Sequence, residues 1–516
     1  MSTPIDSTGS SAEAASMDRG FFGHPRGLST LFFTEMWERF SYYGMRAILT
    51  LYMTKTLAEG GLGFDEKYAS LIYATYVSSV WYLPLIGGWL ADKVFGARRA
   101  VLMGGIVIAC GHYSMAINTK PNFFAGLILI ACGTGLLKPN ISAMVGQLYT
   151  QGDKRRDSGF SIFYMGINLG AFLSPIVVGF LAQAQWSRNF IASLGFNPNS
   201  AWHWGFGAAG VGMTLGIIQY VIGGKRLSAV GVKPEKRQRE TTGQGQDNFD
   251  FVTLGLAIFG GVLGTALGFY FGDAGLVSAL FPCVVGFFAG YLIGTTRLLT
   301  GDELKRVLVI FILFVFSILF WMTYEQAGSS LTLFADRLTQ TTIFGWQYPS
   351  SWFQSVPAVF VIILAPMFAA LWQGLGDRQP SSPGKFTYGL IFAGLAFVLV
   401  TFASSLAGGG RVSPWWLVGV YLLQTIGELC LSPVGLSTVT KLSPARMVGL
   451  MLGVWFLSIS IGSYIAGLTT RLFEGDSTVV LTKAFGIFAA ITLVAAVILA
   501  LITPLIKKLT PRAEAA

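Results

Sequence analysis

Residues 35–46 read Glu-Met-Trp-Glu-Arg-Phe-Ser-Tyr-Tyr-Gly-Met-Arg, and they lie inside an apolar run from about Leu28 to Met53. A run of that length is long enough to cross a bilayer as a helix. Charges inside such a helix are costly, because a charged residue at the membrane centre costs about 2.5 kcal/mol or more on insertion scales. The stretch therefore predicts a membrane helix whose charged side chains have a function.

The polar residues of this stretch share one face of the helix. Their spacing is i, i+4, i+8 and i+11, with Glu38 and Tyr42 beside them, and the four are Glu35, Arg39, Tyr43 and Arg46. In a soluble protein, Glu-x-x-Glu-Arg on a helix is ordinarily an exposed surface pair. The apolar residues on both sides of the stretch argue against that interpretation here, and we expect the face to line a water-filled cavity.

The composition agrees with a membrane setting. The chain has 516 residues, of which 53% are hydrophobic and only 12% are charged, and its mean hydropathy is +0.61. A soluble globule of this composition would expose large apolar patches, so the sequence predicts a polytopic membrane protein. Cys110, Cys132, Cys283 and Cys430 lack the spacing of a metal site or a disulfide framework, and we interpret them as packing residues.

Fourteen apolar runs predict an all-α protein with fourteen transmembrane helices. They lie near residues 28–54, 67–92, 97–118, 121–148, 155–184, 201–223, 251–271, 274–297, 304–334, 351–374, 385–407, 413–441, 446–472 and 480–508. Lys and Arg concentrate in the segments that are cytosolic when the N-terminus is inside, and Arg39, Arg46 and Lys138 are the cations that lie in the interior of the runs and not near their ends. The positive-inside rule therefore places both termini in the cytoplasm and explains the net charge of +10 without a nucleic-acid partner.

Internal repetition divides the chain into two halves. The Gly87–Arg99 motif has a shortened copy at Gly374–Arg378, and Lys138-Pro139 is echoed by Ser432-Pro433. The predicted segments are a cytosolic tail (1–27), a six-helix bundle (28–223), a cytosolic linker (224–250), two inserted transmembrane helices (251–297), a second six-helix bundle (298–509) and a C-terminal tail (510–516). Repeats of this kind are typical of secondary transporters that bind substrate between their halves.

Further polar residues within the apolar runs are candidates for the site. Lys138 needs an acidic partner or an anionic ligand, and Pro139 and Pro433 are candidate gate hinges. Tyr164 and Asn168 share a face that suits a peptide group, although a helix-to-helix hydrogen bond is the alternative interpretation. Glu325 and Glu428 are lone carboxylates of the second half. Asp92 with Arg98 and Arg99 predicts a cytosolic latch, and an ordinary basic loop is the alternative.

The Gly87–Arg99 pattern resembles the loop signature of the major facilitator superfamily. Beyond it, the chain resembles bacterial members of the proton-coupled oligopeptide transporter family from about Gly27 to Leu509. The motifs that carry this resemblance are Glu35–Gly44, Phe163-Tyr164-x-x-Ile167-Asn168-x-Gly170, Gly135–Asn140, Glu325-Gln326 and Gly427-Glu428-Leu429. The resemblance implies the major facilitator fold with two inserted helices, as is usual in prokaryotic relatives.

The resemblance also implies roles for individual residues. Proton coupling would fall to Glu35, Glu38, Arg39 and Glu325. The implied peptide-binding residues are Arg39, Tyr43, Arg46, Tyr76, Lys138, Tyr164, Asn168, Trp321, Glu325, Glu428, Ser432 and Trp455. Among these, Arg39 and Lys138 would attract the peptide carboxylate and Glu428 the ammonium. Arg46–Glu325 and Lys138–Glu428 would be the outer and inner gate pairs.

Two departures from the family pattern concern coupling and recognition. Animal relatives have a histidine in the second helix, where this chain reads Ile72–Tyr76, so its proton coupling would rest on carboxylates. Many relatives carry an asparagine in the helix after Gln354-Ser355, where this chain has Val356-Pro357.

The predicted function is a proton-coupled symporter that imports di- and tripeptides across the inner membrane by alternating access. It would act as a monomer, without a metal or another cofactor. Transport of another small anion such as nitrate is the runner-up, and a non-transporting peptide sensor of the membrane is the alternative from another class. An intramembrane enzyme is the least supported class, because no metal cluster or nucleophile-base pair stands in the helices.

Overall fold

The structure is a computed structural model and describes residues 18–150, 153–227, 230–232, 250–271, 276–299, 301–444, 447–473 and 477–509. These residues form sixteen α-helices and one two-stranded hairpin. The helices are α1 (Gly27–Thr54), α2 (Glu66–Leu90), α3 (Ala97–Ala116), α4 (Lys120–Gln147), α5 (Arg156–Gln183), α6 (Gln185–Ser193), α7 (Ala201–Ile222), α8 (Phe251–Phe271), α9 (Leu276–Thr296), α10 (Gly301–Tyr324), α11 (Ser330–Leu338), α12 (Val356–Leu375), α13 (Ser382–Leu406), α14 (Trp415–Leu442), α15 (Val448–Leu468) and α16 (Thr478–Leu509). The strands are β1 (Thr342–Ile343) and β2 (Trp346–Gln347). The predicted all-α membrane class is confirmed.

Thirteen helical segments of the described residues are long and apolar enough to cross a membrane. Helix α1 is not among them, although its 28 residues also suffice for a span. It differs in carrying Glu35, Glu38, Arg39 and Arg46. Counting α1, the structure agrees with the fourteen predicted spans and describes a multi-pass membrane protein.

The ninth predicted helix is not continuous. A single helix was expected over 304–334, but α10 ends at Tyr324 and a 3₁₀ turn over Glu325–Gly328 separates it from α11. The Gln326 amide bridges the break, since it donates to the Ala466 carbonyl (3.1 Å) and accepts from Ser330 Oγ (2.6 Å). A side chain at Gly328 would place its Cβ 1.7 Å from the Tyr73 hydroxyl oxygen, so this contact needs glycine.

Contacts divide the chain into two compact units. The first consists of the described residues of Met1–Leu62, Leu83–Gln244 and Ile343–Ile362, and the second of those of Gly63–Tyr82, Gly245–Thr342 and Ile363–Ala516. Helices α2 and α12 each contribute to both units. The division into segments that was predicted from the sequence stays a prediction.

Helices α1, α3, α4, α5 and α7 form the body of the first unit. Helix α1 packs on α5 and α7, and α3 packs on α4 and α7. The segment before α12 also belongs to this body, because Trp352 Nε1 donates to the Ile176 carbonyl (3.1 Å) and Ser355 Oγ to the Phe172 carbonyl (2.7 Å). These contacts hold the beginning of α12 against α5.

In the second unit, α13 packs on α14 and α16, and α10 packs on α15. The first part of α2 joins α15, where Ser78 and Ser460 exchange hydrogen bonds. Each hydroxyl donates to the backbone carbonyl of the other residue, at 3.0 Å from Ser78 Oγ and 2.8 Å from Ser460 Oγ. A buried core that includes Phe320, Phe386 and Leu499 fills the space between α10, α13 and α16.

The inserted helices α8 and α9 form a hairpin with close backbone contact. A Cβ at Gly260 would lie 2.1 Å from the Gly286 carbonyl oxygen, and one at Gly264 would lie 2.0 Å from the Pro282 carbonyl oxygen. Asp250 and Arg297 close the base of this hairpin with an ion pair of 2.8 Å.

Parts of the predicted tails and linker lie outside the described residues: 1–17, 228–229, 233–249 and 510–516. The described end of the N-terminal tail is a tight turn in which Phe21 and His24 exchange backbone hydrogen bonds of 2.9 and 3.0 Å.

The cysteines, all predicted to be packing residues, differ in their exposure. Cys430 is buried, whereas Cys110 and Cys132 are exposed on the surfaces of α3 and α4 and do not pack in the core.

Candidate functional site

The centre of the candidate site is a buried ion cluster on α1. Arg39 Nε lies 3.1 Å from Glu35 Oε1 and also donates a hydrogen bond to Glu38 Oε2. Glu38 is fully buried, and Glu35 and Arg39 are each only 3% exposed. The guanidinium also lies over the Tyr42 ring, with 5.4 Å between Cζ and the ring centroid. One cation is therefore shared by two carboxylates in a site that excludes solvent.

This cluster retains hydrogen-bonding capacity. Within the described part of the chain, Glu35 Oε2, Glu38 Oε1 and Arg39 Nη2 are buried and have no hydrogen-bond partner. Lys138 is close enough to act electrostatically on the Glu35 carboxylate. With all four groups ionised the charges balance, and one proton on either carboxylate leaves an excess positive charge. That state suits an anionic ligand.

Close packing of α5 fixes the position of α1. A Cβ at Gly170 would lie 2.3 Å from the Met36 carbonyl oxygen, and one at Gly166 would lie 2.9 Å from the Phe32 ring. The two glycines are one turn apart and let the helix backbones approach at the level of the ion cluster. The Asn168-x-Gly170 motif therefore also has a packing role.

The polar candidates of α5, Tyr164 and Asn168, differ in exposure. Asn168 is 7% exposed and donates from Nδ2 to the Tyr164 carbonyl of its own helix at 3.0 Å, whereas the Tyr164 side chain is 42% exposed. On α1, Tyr43 is half-buried one turn beyond Arg39, and Arg46 is buried two turns beyond it. These four residues are placed within the first unit.

Helix α4 continues through Pro139, which lies next to the half-buried Lys138. Proline has no N–H, so it leaves the Gly135 carbonyl without its usual helical donor. Helix α2 approaches at this point, because a Cβ at Gly87 would lie 2.0 Å from the Gly135 oxygen. Asn140 adds a hydrogen bond from Nδ2 to the Leu136 carbonyl at 2.7 Å. Gly87 of the loop motif thus serves the contact between α2 and α4.

The loop motif itself makes a contact that was not predicted. Arg98 Nη2 donates to the Gly224 carbonyl at 2.6 Å, and its backbone N–H donates to Gly231 at 2.9 Å. Arg98 thus ties the 3₁₀ turn after α7, and Gly231 of the linker, to the start of α3. The latch between Asp92 and the arginines stays a prediction.

The second unit holds a separate group of candidate residues. Tyr324 Oη donates to Glu428 Oε2 at 2.6 Å and thereby connects α10 to α14. The Tyr324 ring packs edge-to-face on Trp321 (5.2 Å between centroids) and stacks on Phe320 (5.8 Å). Glu325, which is 3% exposed in the turn after α10, is close enough to act electrostatically on Glu428. The Glu428 carboxylate therefore lies at the aromatic residues that end α10, with a second carboxylate, that of Glu325, nearby.

The candidate pocket residues of this unit include Tyr76, Ser432 and Trp455. Tyr76 is 4% exposed and Trp455 is 3% exposed, and Ser432 is half-buried beside the exposed Pro433. Gly435 makes room for the indole of Trp455, since a Cβ there would lie 2.0 Å from the ring. The glycine that follows the Ser-Pro motif is thus required by the neighbouring tryptophan. Helix α14 continues through Pro433.

Sequence reasoning missed Tyr324 as a partner of Glu428 and Asn140 as a side-chain donor to the Leu136 carbonyl. A tyrosine immediately before a carboxylate in an apolar run was the available signal for Tyr324. The Arg46–Glu325 and Lys138–Glu428 gate pairs join residues of different units and stay predictions. Within the described residues, no group of three or more His, Cys, Asp or Glu side chains is placed to hold a metal ion.

Known proteins resemble this chain over almost its whole length. It is 42% identical to an uncharacterized transporter of Bacillus subtilis, covering 95% of this chain and 96% of that protein. It is 39% identical to a peptide transporter of Yersinia enterocolitica, covering 94% and 96%. It is 36% identical to a di-/tripeptide transporter of Lactococcus lactis, covering 95% and 97%.

Solved structures agree with the same assignment. A variant of the peptide transporter POT in complex with alafosfalin has a TM-score of 0.83 and 41% identity, covering 98% of this chain and 100% of that one. A POT family transporter in complex with 5-aminolevulinic acid has a TM-score of 0.80 and 33% identity, covering 96% and 99%. The model of the POT family matches residues 98–240 and 288–494. This chain therefore belongs to the POT family, the proton-coupled oligopeptide transporters of the major facilitator type.

Proposed function

We propose that this protein is a symporter that imports di- and tripeptides together with protons by alternating access. The observation that carries the proposal is the buried cluster of Glu35, Glu38 and Arg39, with Lys138 acting on it. Peptide and di-/tripeptide transporters among its relatives, and peptide-like ligands in similar solved structures, support the substrate class.

Protonation of Glu35 or Glu38 is the proposed coupling step. The proton removes one of the two carboxylates that hold the Arg39 guanidinium, so that Arg39 and Lys138 become available to the carboxylate of a peptide. Binding of that carboxylate restores the charge balance of the buried cluster. Proton entry and peptide binding then favour each other, which is what symport requires. Each proton that enters contributes about 2.3 kcal/mol per 100 mV of membrane potential.

The other end of the peptide is assigned to the second unit. Glu428, held by Tyr324, would bind the ammonium group, and Trp321, Ser432 and Trp455 would shape the side-chain pockets. Tyr43, Tyr76, Tyr164 and Asn168 would bind the peptide backbone. Arg46–Glu325 and Lys138–Glu428 are proposed as gate pairs, and Pro139 and Pro433 as hinges. Glu325 is a further candidate for proton coupling.

On this proposal the protein is a transporter and not an enzyme, and it needs no cofactor besides the coupling proton. The distribution of Lys and Arg supports the placement of both termini in the cytoplasm. We propose the inner membrane as the location and a monomer as the working form. Transport of another small anion remains the second candidate within transport.

Uptake into proteoliposomes tests the proposal directly. The purified chain is reconstituted, and accumulation of a labelled dipeptide is measured with an inward proton gradient, with no gradient, and with the gradient collapsed by a protonophore. Concentrative uptake that depends on the gradient is expected. Saturable peptide binding without accumulation identifies a sensor, and accumulation of nitrate but not peptide identifies an anion transporter.

A further inference from the structure

A cavity lies in the first unit, and none of the residues of the ion cluster lines it. It has a volume of about 780 Å³ and opens between α1, α3, α5 and α7. Its wall includes Val177, which is 42% exposed on α5. Val177 follows Asn168 by nine residues, which at 3.6 residues per turn is about half a turn from the face of Asn168. The cavity is therefore a groove on the membrane-facing side of the bundle.

The groove is polar at one end and apolar along the rest of its length. Asn118, Ser200 and His203 line the end near the beginning of α7, and Trp37, Phe40 and Leu215 line the other end. From His203 to Leu215, α7 rises about 18 Å at 1.5 Å per residue. One leaflet of the hydrocarbon core is about 15 Å thick, which is half of the full core. The groove thus matches the depth and polarity gradient of a single lipid.

His203 supplies a specific chemical signal. It is 5% exposed, and its Nδ1 lies 2.9 Å from the Met115 carbonyl oxygen. A carbonyl only accepts, so Nδ1 carries the proton and Nε2 of the neutral ring is an acceptor. Nε2 is buried and has no hydrogen-bond partner among the described residues. A buried unused acceptor is costly, and a ligand with an N–H or O–H donor would satisfy it.

We propose that this groove binds one phospholipid whose head group carries a hydrogen-bond donor. The acyl chain lies along Val177, Val211 and Leu215, and the ethanolamine ammonium or the glycerol hydroxyl of the head group donates to His203 Nε2. On the topology proposed above, this lipid belongs to the outer leaflet. The inner end of its chain packs against Trp37 and Phe40, the neighbours of Glu38 and Arg39 on α1.

Native mass spectrometry of the detergent-purified chain tests this site. Dioleoyl phosphatidylethanolamine, phosphatidylglycerol and phosphatidylcholine are titrated separately, because the choline head group has no donor. We expect one tight lipid per chain for the first two and at least about tenfold weaker binding of phosphatidylcholine. Equal affinity for all three lipids, or the absence of a tight lipid, would overturn the proposal.

Two substitutions locate the lipid. Gly207 lines the groove, and a Cβ there meets only Ala116 Cβ at 3.7 Å, so the backbone leaves room for a side chain to begin at this position. Gly207→Leu should therefore fill the groove and abolish the tight lipid. Gly255→Leu is the matched control, because Gly255 is an exposed helical glycine with no atom within 4 Å of its Cβ position, and it should retain the lipid. If both variants retain the tight lipid to the same extent, the groove is not its binding site. Leu215→Trp fills the other end of the groove and replaces Gly207→Leu if that variant does not fold.

His203→Asn tests the head group separately. The asparagine amide can replace the Nδ1–H donor toward Met115 but has no acceptor at the position of Nε2. We expect this variant to bind all three lipids with similar affinity. A preserved preference for phosphatidylethanolamine over phosphatidylcholine would exclude His203 as the head-group contact. None of these measurements depends on transport, so their outcome is separate from that of the proposed symport.

Discussion

Tyr324 donates a hydrogen bond of 2.6 Å to Glu428 and so joins the last residue of α10 to the middle of α14. Hydrogen bonds to charged groups contribute about 1.5–3 kcal/mol. We expect Tyr324→Phe to lower the thermal unfolding temperature in detergent and to reduce dipeptide uptake, because Glu428 loses the donor that orients it. Tyr388→Phe, at a tyrosine that is 46% exposed, is the control and should leave both values unchanged. A Tyr324→Phe variant with the stability and uptake of the parent would show that the bond is dispensable.

Proton coupling is expected to depend on the two carboxylates that share Arg39. Glu35→Gln and Glu38→Gln each remove a charge whose neutralisation releases the guanidinium, so a proton gradient no longer controls that release. Concentrative uptake in proteoliposomes should be lost, whereas counterflow exchange of peptide should remain at least in part. Full accumulation in both variants would rule out this pair as the coupling site.

Recognition of both peptide termini follows from assigning cations to one end of the substrate and Glu428 to the other. Acetylation of the amino group or amidation of the carboxylate should weaken competition for uptake, by tenfold for every roughly 1.4 kcal/mol lost. Glu428→Gln should reduce the loss of competition for uptake that acetylation of the peptide causes. Lys138→Gln should reduce the loss that amidation causes. Free, acetylated and amidated forms of one dipeptide that compete equally would refute these assignments.

Gly435 is predicted to be essential for the position of Trp455. A methyl group at this position would meet the indole at 2.0 Å, and overpacking of this kind costs about 1–3 kcal/mol. Gly435→Ala should therefore lower the unfolding temperature, and adding Trp455→Leu should restore part of the loss. Gly449→Ala is the control, since no atom lies within 4 Å of its Cβ position. Independent, additive effects of the two substitutions would argue against this steric explanation.

The N-terminal turn should be sensitive to acid. His24 Nδ1 and the Tyr149 hydroxyl lie 2.9 Å apart, and Ser158 Oγ lies 3.4 Å from Nε2. Burial and the nearby Arg155 guanidinium lower the pKa of His24 below its ordinary 6.5, and the Asp153 carboxylate opposes them only in part. The contribution of neutral His24 is thus complete above pH 6.5 and is lost as the pH falls through the lowered pKa.

Hydrogen exchange of residues 20–26 measures this effect. Exchange should accelerate as the pH falls below about 6.5, after correction for the intrinsic pH dependence of amide exchange. His24→Asn should remove most of the additional pH dependence. A His24→Asn variant that retains the full acid response would assign the effect to another group.

The membrane spans and the ion cluster were predictable because their causes are local. An apolar run of about 20 residues has the length and composition of a membrane span, and the i, i+4 spacing places Glu35 beside Arg39 in any helix. The break after Tyr324 was not predictable, since the run is apolar up to that residue. Its 3₁₀ turn depends on Tyr73 and on the Ala466 carbonyl, which are remote in sequence.

The same distinction holds within the site. The residues that pair across sequence separations of 100 or more, such as Tyr324 with Glu428, carry no periodic signal. Gly87, Gly170 and Gly435 could be recognised in motifs, but the partner that requires each of them is visible only in three dimensions. The sequence therefore predicted candidate side chains for the site, but not the residues that contact them.

The two reciprocal hydrogen bonds between Ser78 and Ser460 can break without leaving a polar atom unpaired. A serine in a helix has a second acceptor in the carbonyl one turn earlier in its own chain, so each hydroxyl can turn back when α2 and α15 separate. The carbonyls that are released still accept from their own helices. Breaking a salt bridge at this position would leave two charges without partners. Each serine hydroxyl, in contrast, only exchanges one carbonyl acceptor for another of nearly equal strength. An opening of this contact would therefore leave neither hydroxyl without an acceptor.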